Sequence, residues 1–263
     1  MAPSTQDIIA YVGGLAGHGL NRDEGVKHGE PDRAVDGVLV CWMATRQALE
    51  TAAREGCDLV LTHESLYYPY NATDRDDNPP GWEEWPTNRG RREVLERHDL
   101  TLLRVHGSLD EVAIYDDFAA LLGLGEPAQA DALARVYDVA PCTVADLVAR
   151  VKRCTGLGAV RVSAPRGMEQ VVRRVGLPWG GLGLFVNVGY QQRLVEMGCD
   201  AMIAGESDDY GMRFGADLGI PLIETGHSVS ENPGLRRFAD MLAARFPGLR
   251  VVYHECPPAW EIV

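Results

Sequence analysis

The sequence predicts an α/β protein made of two duplicated lobes, each with a largely parallel sheet. Three observations carry this. Short apolar runs alternate with helical patterns along most of the chain, as βαβ crossovers require. The segment Gly56-Cys57-Asp58-Leu-Val-Leu-Thr-His-Glu64-Ser65 returns as Gly198-Cys199-Asp200-Ala-Met-Ile-Ala-Gly-Glu206-Ser207, with Gly, Cys, Asp, Glu and Ser identical. In both copies polar residues gather just past the end of a strand.

Taken in order, residues 4–12 read as a short amphipathic helix and residues 13–37, rich in Gly, His and charge, as loop. A strand over 38–42 leads to a helix over 45–54, closed by Gly56. Residues 58–62 form a buried strand that ends at His63-Glu64. Residues 67–88 are rich in Pro, Asp and Trp and show no periodicity. A helix over 91–98 and a strand over 100–105 lead to His106-Gly107-Ser108-Leu109-Asp110, and residues 116–122 are helical. After Gly125 the pattern loosens. A helix over 144–154 has Thr143 as N-cap, followed by strands over 160–163 and 171–177, the glycine turn Gly180–Gly183 and a helix over 190–197. Such a turn either cradles a phosphate or is simply a turn. A strand over 201–204, a helix over 211–218, a strand from Ile220, a helix over 234–245 and a strand over 250–253 complete the chain. The expected division is residues 1–124 and residues 125–263.

The two copies of the repeat stand 142 residues apart at Gly56 and Gly198, but the next strands, at Leu100 and Ile220, only 120 apart. The first copy is therefore longer by 22 residues, and the segment 67–88 accounts for them. Its aromatic residues, Tyr67, Tyr68, Tyr70, Trp82 and Trp85, form either a satellite cluster under a long loop or a lid that selects a substrate.

Composition narrows the function. Apolar residues make up 46% of the 263 and charged residues 24%, ordinary values for a soluble globular protein. A formal net charge of −13 argues against a nucleic-acid-binding face. The six cysteines are scattered without a CxxC pair, which points to buried free thiols. No apolar run approaches the roughly 20 residues of a membrane span, and residues 1–10 lack the pattern of a signal peptide. A cytoplasmic protein is expected.

The strand-end residues are His63 and Glu64, then His106 and Asp110, in the first copy, and Glu206 and Asp208, then His227 and Glu231, in the second. In open α/β sheets ligands bind outside the carboxyl ends of the strands. If residues from Ser228 onward are helical, His227 and Glu231 share a face. Five or six nitrogen and oxygen ligands exceed the three protein ligands usual for a catalytic zinc. They suit two metals about 3.5–4 Å apart. Asp110 could instead cap the helix that follows it. His106 reads as a group that orients a carboxylate or water and shuttles a proton. His18, His28, His98 and His254 read as surface residues, and Glu206 and Asp208 as a pocket wall at best.

The order Thr-His-Glu, Val-His-Gly-Ser-Leu-Asp, Ala-Gly-Glu and Thr-Gly-His-Ser-Val-Ser-Glu resembles the Nif-three-like (YbgI-like) family, whose members carry the label GTP cyclohydrolase 1 type 2 homologue. The resemblance spans nearly the whole chain and is weakest over 126–170. It implies two intertwined, three-layer α/β lobes holding a dinuclear metal centre, and a toroidal homohexamer. It implies His63, Glu64, Asp110, His227 and Glu231 as metal ligands. Glu231 would bridge, His63 and His227 would complete one metal, and Glu64 and Asp110 the other. Glu64 departs from the second His usual in the family. It gives one metal an all-oxygen protein shell, which favours Mn²⁺, Fe²⁺ or Mg²⁺ over Zn²⁺ there. Two functions follow: a metal-dependent hydrolase of a nucleotide, phosphoester or cyclic amide, or a non-enzymatic metal-binding scaffold or regulatory ring. The absence of a G-x-S-x-G nucleophile and of a P-loop keeps the second open.

Overall fold

A computed structural model describes residues 2–261. The first elements are α1 (Thr5–Ala16), β1 (Gly25–His28), β2 (Gly37–Cys41), α2 (Arg46–Arg54), β3 (Leu59–Thr62), α3 (Pro86–Arg97), β4 (Thr101–Arg104) and the short α4 (Gly107–Leu109). A π-helical turn, Asp110–Ile114, leads into α5 (Tyr115–Leu121), β5 (Gln129–Asp131), β6 (Ala134–Thr143), α6 (Val144–Thr155), β7 (Arg161–Ser163) and β8 (Val171–Gly176). The chain finishes with α7 (Val188–Glu196), β9 (Ala201–Ala204), α8 (Asp209–Asp217), β10 (Leu222–Glu224), α9 (His227–Arg245) and β11 (Arg250–His254). Two compact units result. One comprises Met1–Ala113 and Gly234–Cys256, the other Ile114–Pro233 and Pro257–Val263.

The first unit carries a five-stranded sheet in the order β1-β4-β3-β2-β11. Its β2, β3 and β4 are buried along their whole length, because a parallel sheet covered on both faces needs continuous apolar strands rather than alternating ones. Leu39, Leu49, Val60, Leu66, Leu95 and Leu102 form the core there. The second unit carries a six-stranded sheet in the order β5-β6-β8-β9-β10-β7. Its core includes Val136, Leu194, Met197, Met202 and Leu222.

The duplication is visible strand by strand. In the first unit β1 pairs antiparallel with β4, and β4, β3 and β2 run parallel. In the second, β7 pairs antiparallel with β10, and β10, β9 and β8 run parallel. The repeated Gly-Cys-Asp explains itself physically. Gly56 and Gly198 sit at φ of 67° and 82°, left-handed values that favour glycine just past a helix. Cys57 and Cys199 are both 5% exposed, and their amides bond to the carbonyls of Ala52 and Leu194 at 2.9 and 3.1 Å. The Asp58 carboxylate accepts from the amides of Asp36 and Gly37, and Asp200 accepts from those of Arg173 and Arg174. Asp58 thus ties the start of β3 to the start of β2, and Asp200 ties the start of β9 to the middle of β8.

The structure departs from the sequence expectation at β1, β5, β6 and α9. β1 lies within the segment read as loop, because a half-buried four-residue edge strand, Gly-Val-Lys-His, has no alternation to detect. β5 and β6 lie where the pattern loosens, because β6 is largely exposed past Tyr137 and its antiparallel partners come from distant segments. α9 begins at His227, not at Gly234, and carries Pro233 inside it. Proline removes one backbone bond from a helix but does not forbid the helix when packing holds both sides. All six cysteines are free thiols, with Cys41, Cys57 and Cys199 buried. No helix among the described residues is long and apolar enough to cross a membrane.

Replacing Asp200 with Ala removes the acceptor of two backbone amides of β8. It is expected to cost about 0.5–1.5 kcal/mol, read as a lower urea midpoint with an unchanged slope. Asp58→Ala should do the same in the first unit.

Candidate metal centre

In the first unit β3 and β4 deliver the functional side chains. Where β3 ends, the His63 amide bonds to the carbonyl of Cys41 at 3.2 Å and the Glu64 amide to that of Trp42 at 2.7 Å. These bonds hold both residues at the carboxyl end of β3, in the middle of the sheet. The His63 side chain is fully buried, and its Nδ1 lies 3.2 Å from the Val105 carbonyl oxygen. A carbonyl only accepts, so this contact assigns the ring proton to Nδ1. Nε2 then faces Asp110, whose Oδ1 is 3.9 Å away. A backbone carbonyl that fixes the tautomer in this way leaves the other nitrogen ready for a metal.

The His106 ring lies against that of His63, with centroids 4.6 Å apart and planes at 33°. Its Nε2 is 4.0 Å from Glu64 Oε1. His63, His106 and Asp110 each offer a ligand atom within 4.8 Å of the others, a group that could hold a metal ion. His106, read from sequence as an orienting group, therefore stands inside the cluster of the expected ligands.

The turn that carries His106 to Asp110 is organised by Glu24, which is 8% exposed. One of its oxygens accepts from the amides of His106 and Ser108 at 2.7 and 2.8 Å. The other accepts from the Ser108 hydroxyl and the Asn21 amide, both at 2.6 Å. Burial alone would raise this carboxyl's pKa. The donors from Ser108, Asn21 and His106 outweigh it and hold the group below its usual value. Arg104 lies at the end of β4 and is 1% exposed. Its guanidinium donates to the Asp23 carboxylate at 2.6 Å and to the Tyr70 hydroxyl at 2.7 Å. That hydroxyl is 3.3 Å from His106 Nε2. The inserted segment 67–88 therefore reaches the cluster through Tyr70. An open hollow of about 250 Å³, lined by Arg22, Asp23, Tyr70, Asn71, Asp74 and Arg75, lies on its outer side.

The second unit builds its part from β9, β10 and the first turn of α9. The Gly205 and Glu206 amides bond to the carbonyls of Pro178 and Gly180 at 3.0 and 2.7 Å, repeating the pattern at His63 and Glu64. His227 Nε2 is 3.3 Å from Glu231 Oε1, as expected for two residues four apart on a helix. His227 Nδ1 is 2.9 Å from Glu206 Oε2, which sets the ring's orientation. Glu231 is 2% exposed. The glycine turn packs directly on this pair. A Cβ on Gly180, at φ +50°, would collide with Glu231 Oε1 and lie 3.2 Å from His227 Nε2, and one on Gly183 would collide with the Glu206 carbonyl. The glycines thus make room for a carboxylate and an imidazole.

The sequence reading gives no role to Glu24 or Arg104. It takes Tyr70 as part of a satellite cluster or lid and the Gly180–Gly183 turn as a phosphate cradle or a plain turn, whereas here Tyr70 meets His106 and Gly180 makes room for Glu231. Only Arg104 leaves a signal: a charge at the end of an otherwise apolar strand, Thr-Leu-Leu-Arg. Asp208 caps α8 by accepting from the Gly211 amide at 2.7 Å. His18 pairs with Glu111 at 2.8 Å, His98 is exposed, and His28 and His254 are half-buried.

The depressed Glu24 pKa fixes a sign. Its contribution to stability is fully present above the unfolded value of about 4.5 and is lost as pH falls through the lower folded value. Glu24→Gln should lower stability by about 1–3 kcal/mol at neutral pH. Below pH 4, the gap between variant and parent should shrink in urea titrations run at stepped pH.

A Pseudomonas aeruginosa protein named GTP cyclohydrolase 1 type 2 homolog is 26% identical over 236 residues, covering 86% of this chain and 84% of its own. A Clostridium perfringens protein of the same name is 22% identical over 255 residues, covering 91% of each. The solved structure titled "protein ybgI, unknown function" superposes with a TM-score of 0.80 at 21% identity, over 98% of this chain and 100% of that one. A Staphylococcus aureus hypothetical protein does so with a TM-score of 0.80 at 15% identity, over the full length of both. At such identities the two structures show a shared fold. With a family model matching from residue 6 to residue 257, the chain belongs to the Duf34/NIF3 (NGG1p interacting factor 3) family.

Proposed function

We propose that this protein is a dinuclear divalent-metal hydrolase acting on a small molecule, with His63, Glu64, Asp110, His227 and Glu231 as metal ligands. The observation that carries the reading is the His227–Glu231 pair seated on a turn that cannot hold a side chain at residue 180. The donor set fits: two imidazoles and three carboxylates are the nitrogen and oxygen ligands that Mn²⁺, Fe²⁺, Mg²⁺ and Zn²⁺ accept. Bound ions would supply Lewis acidity and lower the pKa of a bound water.

The chain's own residues divide the remaining work. The Val105 carbonyl keeps the His63 proton on Nδ1, and Glu206 orients His227. His106 accepts and returns a proton at the substrate, as a general acid–base that does not ligate. A cytoplasmic homohexamer fits the family resemblance, and six free thiols fit a reducing compartment. Membership of a family whose relatives carry a cyclohydrolase name places GTP among the substrates to try, beside phosphoesters and cyclic amides.

Dialysis against Mn²⁺ or Zn²⁺ followed by metal analysis should give about two ions per chain, with Mn²⁺ retained at the carboxylate-rich position. His227→Ala should lose at least one. Fewer than one ion in the parent, unchanged in the variant, refutes the ligand set. Full metal content without turnover of any of the three substrate classes would favour the non-enzymatic scaffold. Light scattering at micromolar concentration should report six copies, and a monomer there ends the hexamer proposal.

A further inference from the structure

We propose that Tyr70 and Arg104 are positioning residues for His106: the Tyr70 hydroxyl, with its oxygen held by Arg104, donates to His106 Nε2 and keeps that nitrogen an unprotonated, non-ligating acceptor. The proposal rests on the reading of His106 as the proton-handling group, and deepens it.

The argument is one of hydrogen-bond direction. A guanidinium has donors only. Arg104 Nη2 at 2.7 Å from the Tyr70 oxygen therefore occupies that oxygen as an acceptor. The phenol's single proton must point elsewhere, and His106 Nε2 lies 3.3 Å away. Burial, and next the Glu64 charge, push the Tyr70 phenol well above its ordinary range, so the hydroxyl keeps the proton it donates. A hydrogen bond received at Nε2 selects the tautomer with its proton on Nδ1.

Arg104 is a dedicated clamp rather than a passing surface group. It is 1% exposed. Nη1 is held by both the carbonyl and the carboxylate of Asp23, at 3.0 and 2.6 Å. Its guanidinium carbon also stands 5.2 Å from the Tyr70 ring centroid, a cation–π contact that fixes the ring together with its hydroxyl. A buried arginine is costly unless paired and bonded on several sides, and here the pairing is divided between Asp23 on Nη1 and the Tyr70 hydroxyl and ring. The backbone of His106 is held independently, by Glu24 on its amide. Ring and backbone are thus fixed by two different residues. Glu64 Oε1, 4.0 Å from Nε2, is a carboxylate that favours a proton on Nε2 instead, so the hydroxyl works against it.

The test uses the full-length protein labelled with ¹⁵N-histidine, metal-free and then loaded with Zn²⁺, with the His106 signals assigned by their absence in His106→Gln. The parent should show His106 Nε2 as an unprotonated nitrogen and Nδ1 as protonated in both samples. Tyr70→Phe should shift His106 towards the Nε2-protonated tautomer, or a mixture of the two, with the other six histidines little changed. Arg104→Lys keeps the charge but loses the fork, and should move the same signals in the same direction. His106 signals unchanged in a folded Tyr70→Phe overturn the proposal, as does a parent with its proton on Nε2. A zinc-induced shift of the His106 nitrogens matching that of His63 also overturns it, because His106 would then be a ligand. Metal content measured on the same samples tests the ligand set separately, and the metal-free spectra bear on Tyr70 even if no metal binds.

Discussion

A backbone bond just past an inner parallel strand of each sheet, β3 and β9, organises this molecule. The Glu64 amide meets the Trp42 carbonyl, and the Glu206 amide meets the Gly180 carbonyl, both at 2.7 Å. Up to that point β3 and β9 are buried along their length and hold no charge. A strand covered on both faces cannot carry unpaired polar groups. The first place where imidazoles and carboxylates can stand is therefore just past the last ladder bond. Both units use it: His63 and Glu64 stand there in the first, Glu206 in the second.

From that constraint the supporting residues follow. A carboxylate as buried as Glu231 needs space and partners close by. The space comes from omitting a side chain at Gly180 and the partner from the imidazole one helical turn away. In the first unit the problem is a turn whose amides would otherwise lack acceptors, and Glu24 supplies a carboxylate to two of them and to the Ser108 hydroxyl. Each device fixes one group at the end of a strand.

The units diverge in what surrounds this shared frame. The first gains 22 residues after the Glu64 position, and this addition brings Tyr70 against His106. A charged residue, Arg104, lies at the end of β4, where the second unit has Glu224 at the end of β10. Glu224 pairs with Arg161 at 2.8 Å, while Arg104 is paired with Asp23 and Tyr70. A duplicated scaffold with one elaborated copy allows two unlike surroundings to be built from one set of strands.

What the sequence by itself determined was the fold class, the parallel strands, the repeat, the family and the spacing that puts His227 and Glu231 on one helix face. Those features are written in short-range patterns: apolar runs, the glycine after a helix, and side chains four residues apart. The three-dimensional structure alone decided the edge strands β1 and β5, the continuation of α9 through Pro233, and the roles of Glu24, Tyr70 and Gly180. These depend on contacts between distant segments. Glu24 reaches Ser108 across 84 positions, Tyr70 reaches His106 across 36, and the Gly180 amide meets the Ser230 hydroxyl across 50. No local period encodes such a meeting, because it exists only after the strands have paired and the chain has closed on itself.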